Sequence, residues 1–214
     1  MMNRKRFLRS SAGLALAPLF ARCGVIDTVV GNNGSSVKTA SVNMLQLAQA
    51  IEVQQCEEWC WAASISMIFG FYGHAVSQAA IVAQTYGQVA CLPANTTTTI
   101  GRDLSRSYID AAGRPFTSQV TAAYDYYNGY NSLSNAGIVN ELNSNRPLLF
   151  CNISHAEVLY SVEYSGLESN PTILGALVID PWPATQGSHP LSTQELYPVP
   201  EGGTLTFLAS VRVS

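Results

Sequence analysis

Charge is scarce in this sequence. Asp, Glu, Lys and Arg make up only 12% of its 214 residues, against 47% hydrophobic residues, and there are just three histidines. So little charge beside so much apolar surface excludes a disordered chain. A membrane-spanning helix is not expected either, because no stretch reaches the roughly 18 uncharged apolar residues that one needs. Repeats and low-complexity tracts are missing too. No CxxC or HxxxH pair accompanies Cys56 and Cys60, which argues against a zinc site built on those thiols. No metal or cofactor is therefore expected. At this length the chain is one domain, with or without a tail, and long enough to bury a core.

What is present begins with a targeting signature. MMNRKRFLRS carries four basic residues and no acid, and SAGLALAPLFA is a short apolar run with small residues near its end. Residues 1–21 are therefore expected to be an export signal, and Arg4-Lys5-Arg6-Phe7-Leu8-Arg9 resembles a twin-arginine signal whose second arginine is lysine. Phe20-Ala21-Arg22 before Cys23 makes a poor lipobox, so cleavage near Ala21 is favoured over a lipid anchor at Cys23. Cleavage there leaves seven basic against 14 acidic residues, moving the net charge from −3 to −7. An acidic surface argues against nucleic-acid binding. Export to an oxidising compartment, periplasmic or extracellular, permits disulfides among Cys56, Cys91 and Cys151, with Cys60 left over as a reactive thiol.

Residues 22–45 are small and polar without sustained period and read as a linker, too short and polar for an inhibitory pro-domain. Residues 46–214 form the expected domain. Trp61, Ile65, Ile68 and Tyr72 recur at helical spacing up to Gly73, and Ser77 and Gly87 bracket a second helix. GRDLSRSYIDAAG is expected to be helical, whereas residues 115–132 read as a strand or an irregular cleft wall. Asn135 begins a helix that ends before Pro147. The last third is β: PLLFCNIS, then EVLYSVEYS with Val158, Tyr160, Val162 and Tyr164 on one face, then TILGALVID and TLTFLASVRV. Helices first and antiparallel strands after predict an α+β fold with helices on one side of a sheet.

The stretch QQCEEWCWAA at 54–63 carries the chemistry. Cys60 stands at the mouth of the first helix, where unpaired amides and the positive dipole end favour a thiolate. Those amides can also hydrogen-bond an oxyanion, and Gln54, six residues upstream, can supply a second donor. A thiolate nucleophile needs a histidine and a group to orient it. His74 lies at the far end of the helix, about 20 Å away at 1.5 Å per residue. His189 falls in a Gly- and Pro-rich loop. His155 sits between two strand-like runs and is the base by elimination. Asp180, leaving a strand into Asp180-Pro181-Trp182-Pro183, is its expected orienter.

Gln54-x5-Cys60-Trp61-Ala62, with His155-Ala156-x-Val158 and a later Asp, resembles the papain-like cysteine proteases. The WCWAAS start, the DPWP ending and the Cys-to-His interval of 95 residues are similar to the compact bacterial branch, with its avirulence and bacteriocin-leader peptidases. The resemblance covers roughly residues 50–212. It implies a papain-like fold, with the nucleophile on an N-terminal helical part packed on an antiparallel sheet that carries the His and Asp. It also implies a Cys60–His155–Asp180 triad, Gln54 as oxyanion donor, and a monomer acting on a peptide or protein. By the same resemblance Cys56 matches an extra cysteine ahead of the nucleophile that bridges to a later one, with Cys91 the preferred partner. Glu157 departs from the pattern, standing where the family is apolar. Two rival readings remain: a transglutaminase-like acyltransferase or glutamine deamidase, and a catalytically silent binding module.

Overall fold

A computed structural model describes residues 36–214. The expected export signal, Cys23 and most of the expected linker lie outside these residues. In chain order the elements are β1 (Lys38–Ser41), α1 (Met44–Ala48), α2 (Cys60–Phe71), α3 (Gln78–Tyr86), α4 (Thr97–Asp103), β2 (Ser107–Ile109), β3 (Pro115–Asp125) and β4 (Tyr130–Asn131). There follow α5 (Asn135–Asn143), β5 (Leu148–Asn152), β6 (Ala156–Leu167), β7 (Asn170–Asp180), β8 (Gly187–Pro190), α6 (Thr193–Leu196) and β9 (Leu205–Val213). The sheet runs β2-β3-β9-β5-β6-β7-β8, with β1 added to β6 and β4 to β3, and its strand pairs are antiparallel. Among the described residues no helix is long and apolar enough to cross a membrane.

Local chemistry explains the helix ends. Ser77, Thr96 and Ser134 each accept a bond from a first-turn amide, and Gly87 closes α3 at φ 74°, where a Cβ would be strained. In α2, ten of 12 residues are buried, so the helix is wrapped on every side rather than on the one stripe its periodicity suggests. Small residues make that enclosure fit, and its buried hydroxyls are satisfied: Ser64 Oγ donates to Ala156 O and Ser66 Oγ to Val76 O.

Four expectations need correction. Lys38–Ser41 lies in the expected linker yet forms a strand paired to Tyr164–Ser161. GRDLSRSYIDAAG is only half helical, because α4 ends at Asp103 and Ser107–Ile109 pairs with β3. The sheet is covered on both faces rather than one. Leu149, Val158, Ile179 and Ala209 form one buried row, and the alternate row through Phe150, Glu157 and Leu208 is equally buried. Phe150 and Leu208 of that second row face a cavity of about 690 Å³ shared with Ile138 of α5 and lined also by Leu191 and Leu205. Finally, β6 does not keep one alternation along its length. A bulge between Leu159 and Ser161 inserts a residue, so Leu159 and Val162 line that same cavity. An extra residue reverses which side every later side chain takes.

Candidate active site

Cys60 is the first residue of α2 and is half-buried, with no side-chain cap on the helix. The first-turn amides of such an end have no intrahelical acceptor, so they present donors and a positive dipole to the thiol. The flanking tryptophans fix its place. Trp59 Nε1 donates to Ala90 O at 3.0 Å and Trp61 Nε1 to Leu92 O at 3.2 Å, from two buried indoles. Between those carbonyls, Cys91 forms a disulfide with Cys56, as the resemblance implies. The helix mouth is thus fastened to the 90–92 loop three times. With Cys56 so engaged, the zinc alternative built on it has lost a ligand. Cys60 and Cys151 remain as free thiols among the described residues, and burial pushes the Cys151 thiol well up.

His155 precedes β6 at the end of a tight turn. Asn152 N donates to His155 O at 3.0 Å, and Asn152 Oδ1 accepts from the His155 amide at 2.8 Å. The ring shares the lining of one cleft with Cys60. Its Nε2 lies 2.7 Å from Asp180 Oδ1. Burial opposes the charged ring, but the neighbouring Cys60 and Asp180 outweigh it and raise the His155 pKa to about 9. Asp180 ends β7 and is itself held, by Trp182 N at 2.7 Å and by the Thr185 hydroxyl. Burial would raise its carboxyl; those donors and His155 keep it below the usual range. Trp182 stands edge-on to the His155 ring, 6.5 Å between centroids.

Gln54 is buried, and its backbone amide donates to Pro181 O at 2.8 Å, bracing the segment before Cys60 against the turn after Asp180. Its side-chain amide donates to the carbonyls of Cys56 at 2.9 Å and Glu57 at 2.8 Å. A cleft of about 420 Å³ runs past Cys60 and His155, walled by residues 93–98, 127–128 and 151–154; Gln54 is not among its lining residues.

Residues 41–195 match the family model described as papain-like cysteine protease AvrRpt2. This chain belongs to that family. No curated protein matches it. As a papain-like cysteine protease of the avirulence type, the chain shows mixed α and β structure with a mainly antiparallel sheet, as expected from its sequence. The other histidines are elsewhere engaged. His74 pairs with Asp110 at 3.0 Å and stacks on Phe116. His189 lies on β8, an edge strand where the sequence suggests a loop, and contacts Glu157 at 2.6 Å.

Sequence reasoning missed Thr185, which holds Asp180, and Gln78, which is fully buried and clamps Val53 O and the Gln55 amide. A threonine in a polar loop and a glutamine in a first turn carry no signal of their own. The His189–Glu157 pair did leave one: an acid at an apolar strand position, beside a histidine without an assigned task.

Proposed function

We propose that the protein is an exported cysteine peptidase in which Cys60 is the nucleophile, His155 the general base and acid, and Asp180 the group that orients His155. The His155–Asp180 contact, at a cleft whose lining His155 shares with Cys60, carries this reading. The Cys60 thiolate attacks the peptide carbonyl carbon while the helix-mouth amides hydrogen-bond the oxyanion. His155 gives its proton to the departing amine, leaving an acyl-enzyme. Water, deprotonated by His155, then attacks the thioester, and the acid and the Cys60 thiolate leave. Asp180 accepts from Nε2 throughout, so the other ring nitrogen faces sulfur. Gln54 becomes the second oxyanion donor when one amide hydrogen leaves the Cys56 or Glu57 carbonyl for the substrate. Export is supported by the four basic, acid-free positions among residues 1–10 ahead of the apolar run.

The binding-module alternative drew its support from an unexplained Glu157, and the pairing with His189 supplies that residue's explanation. The test is iodoacetamide alkylation of Cys60 against pH, in the native protein and in His155→Ala, followed by casein digestion. Alkylation well below pH 8 that is lost in the variant, with casein cleaved, is the expected result. A thiol titrating near 8.5 in both proteins overturns the reading. Ammonia released from glutamine without chain cleavage shifts it to a deamidase.

A further inference from the structure

Glu157 is the second residue of β6, and His155 is the residue just before that strand. Polar atoms of His155, Glu157 and Asp180 all fall within 4.8 Å of one another. The Glu157 side chain is 2% exposed; its Oε1 contacts His189 Nε2 at 2.6 Å, and its Oε2 is buried with no partner. His189 Nδ1 is 3.0 Å from Pro190 O. A carbonyl oxygen only accepts, so Nδ1 carries a hydrogen, and the Glu157–His189 contact then holds one more proton. That proton placed on His189 leaves Glu157 a carboxylate, a second negative charge beside Asp180. Two such carboxylates in one buried site stay ionised only beside cations, and the two imidazoles are the cations at hand.

We propose that Glu157 and His189 form a second carboxylate–imidazole couple that keeps a negative charge beside His155 and thereby holds its ring protonated: a positioning pair for the triad. The inference rests on the peptidase reading. Burial raises the Glu157 carboxyl and the His189 bond opposes that rise, while His189, despite its own burial, is raised chiefly by the Glu157 bond. The other ionisable groups around the couple are Cys60 on α2, Cys151 on β5, Asp180 on β7 and Glu195 on α6. None of these brings a fixed positive charge, so the His189 and His155 imidazoles are what balances Glu157.

With only three histidines in the chain, each imidazole can be followed by proton–carbon NMR across a pH titration. Glu157→Gln keeps the shape and removes the charge. The His155 midpoint should fall by about one unit, a tenfold change in proton affinity, and His189 should return toward its ordinary value near 6.5. In His189→Ala the buried Glu157 loses its donor and takes up the proton, so His155 should fall in the same direction. Because His189 is 35% exposed on an edge strand, this variant carries the test if Glu157→Gln fails to fold. A His155 midpoint that stays put while His189 falls overturns the proposal and leaves Glu157 a packing partner. A native His155 that already titrates near 6.5 beside an unreactive Cys60 sinks the peptidase reading instead.

Discussion

Ser64 Oγ donates to the carbonyl oxygen of Ala156 at 3.0 Å, linking α2 one turn past Cys60 to the residue that follows His155. The two proposed reacting side chains are 95 positions apart in sequence, and this buried bond is one fixed strut between the elements that carry them. Ser64→Ala leaves the Ala156 acceptor unpaired in a site without water access, a loss of about 1–3 kcal/mol. Chemical denaturation should show that loss, and Cys60 alkylation near neutral pH should slow severalfold as the thiol and ring drift apart. A variant with lowered stability and unchanged alkylation would show that the strut supports the fold but not the pair.

The Cys56–Cys91 bridge joins residues 35 positions apart and closes a loop that contains Cys60. Replacing both cysteines by serine, or adding reductant, should cost about 2–4 kcal/mol of stability through the freed unfolded chain. The Trp59 and Trp61 bonds to Ala90 and Leu92 remain in the reduced protein, so Cys60 should stay reactive at room temperature and lose its reactivity earlier on heating. Thermal unfolding with and without reductant, followed alongside alkylation, separates the two. Reactivity lost at room temperature on reduction would mean that the tryptophans do not hold the helix mouth without the bridge.

In the proposed triad Asp180 combines two functions that substitution can divide. Asparagine keeps an oxygen for His155 Nε2 and for the Trp182 amide but removes the charge. Asp180→Asn should therefore retain part of the activity and release the His155 proton at lower pH, moving the alkaline limb of the rate profile down. Asp180→Ala loses orientation as well and should cost on the order of a hundredfold or more. Equal losses in the two variants would mean that charge, not orientation, is what Asp180 supplies.

The segment around Cys60 was legible because its signals are local. Cys60 at a helix start, Ser77 and Gly87 around α3, and the strands from Leu148 onward follow from period and capping residues within a few positions. What escaped depends on distant partners. The Lys38–Ser41 strand is too short to show a period and exists because the β6 edge beyond β5 is open to it. The bulge after Leu159 is set by pairing with β7, so a sequence that alternates smoothly through Val158, Tyr160 and Val162 conceals the change of face. Glu157 looked like a fault in register for the same reason: its partner, His189, lies 32 positions on, in a segment rich in glycine and proline.

Glu141 on α5 offers a test of fold stability away from the site. Its carboxylate receives Arg146 Nε at 2.8 Å and Arg212 Nη1 at 2.6 Å, joining α5 to the last strand. Burial would raise the carboxyl, but the hydrogen bonds from Arg212 and then Arg146 prevail and lower it from 4.5 to about 2. A group whose folded pKa is depressed stabilises the fold above its unfolded value and loses that contribution as pH falls through the folded one. The contribution of Glu141 should thus be fully present above pH 4.5 and vanish toward pH 2. Glu141→Gln should unfold at lower urea than the native protein at pH 7, and the gap should close over that window. A gap of constant size across the same range would mean that glutamine loses packing or hydrogen-bond geometry, and that the ion pairs to Arg146 and Arg212 add nothing to stability.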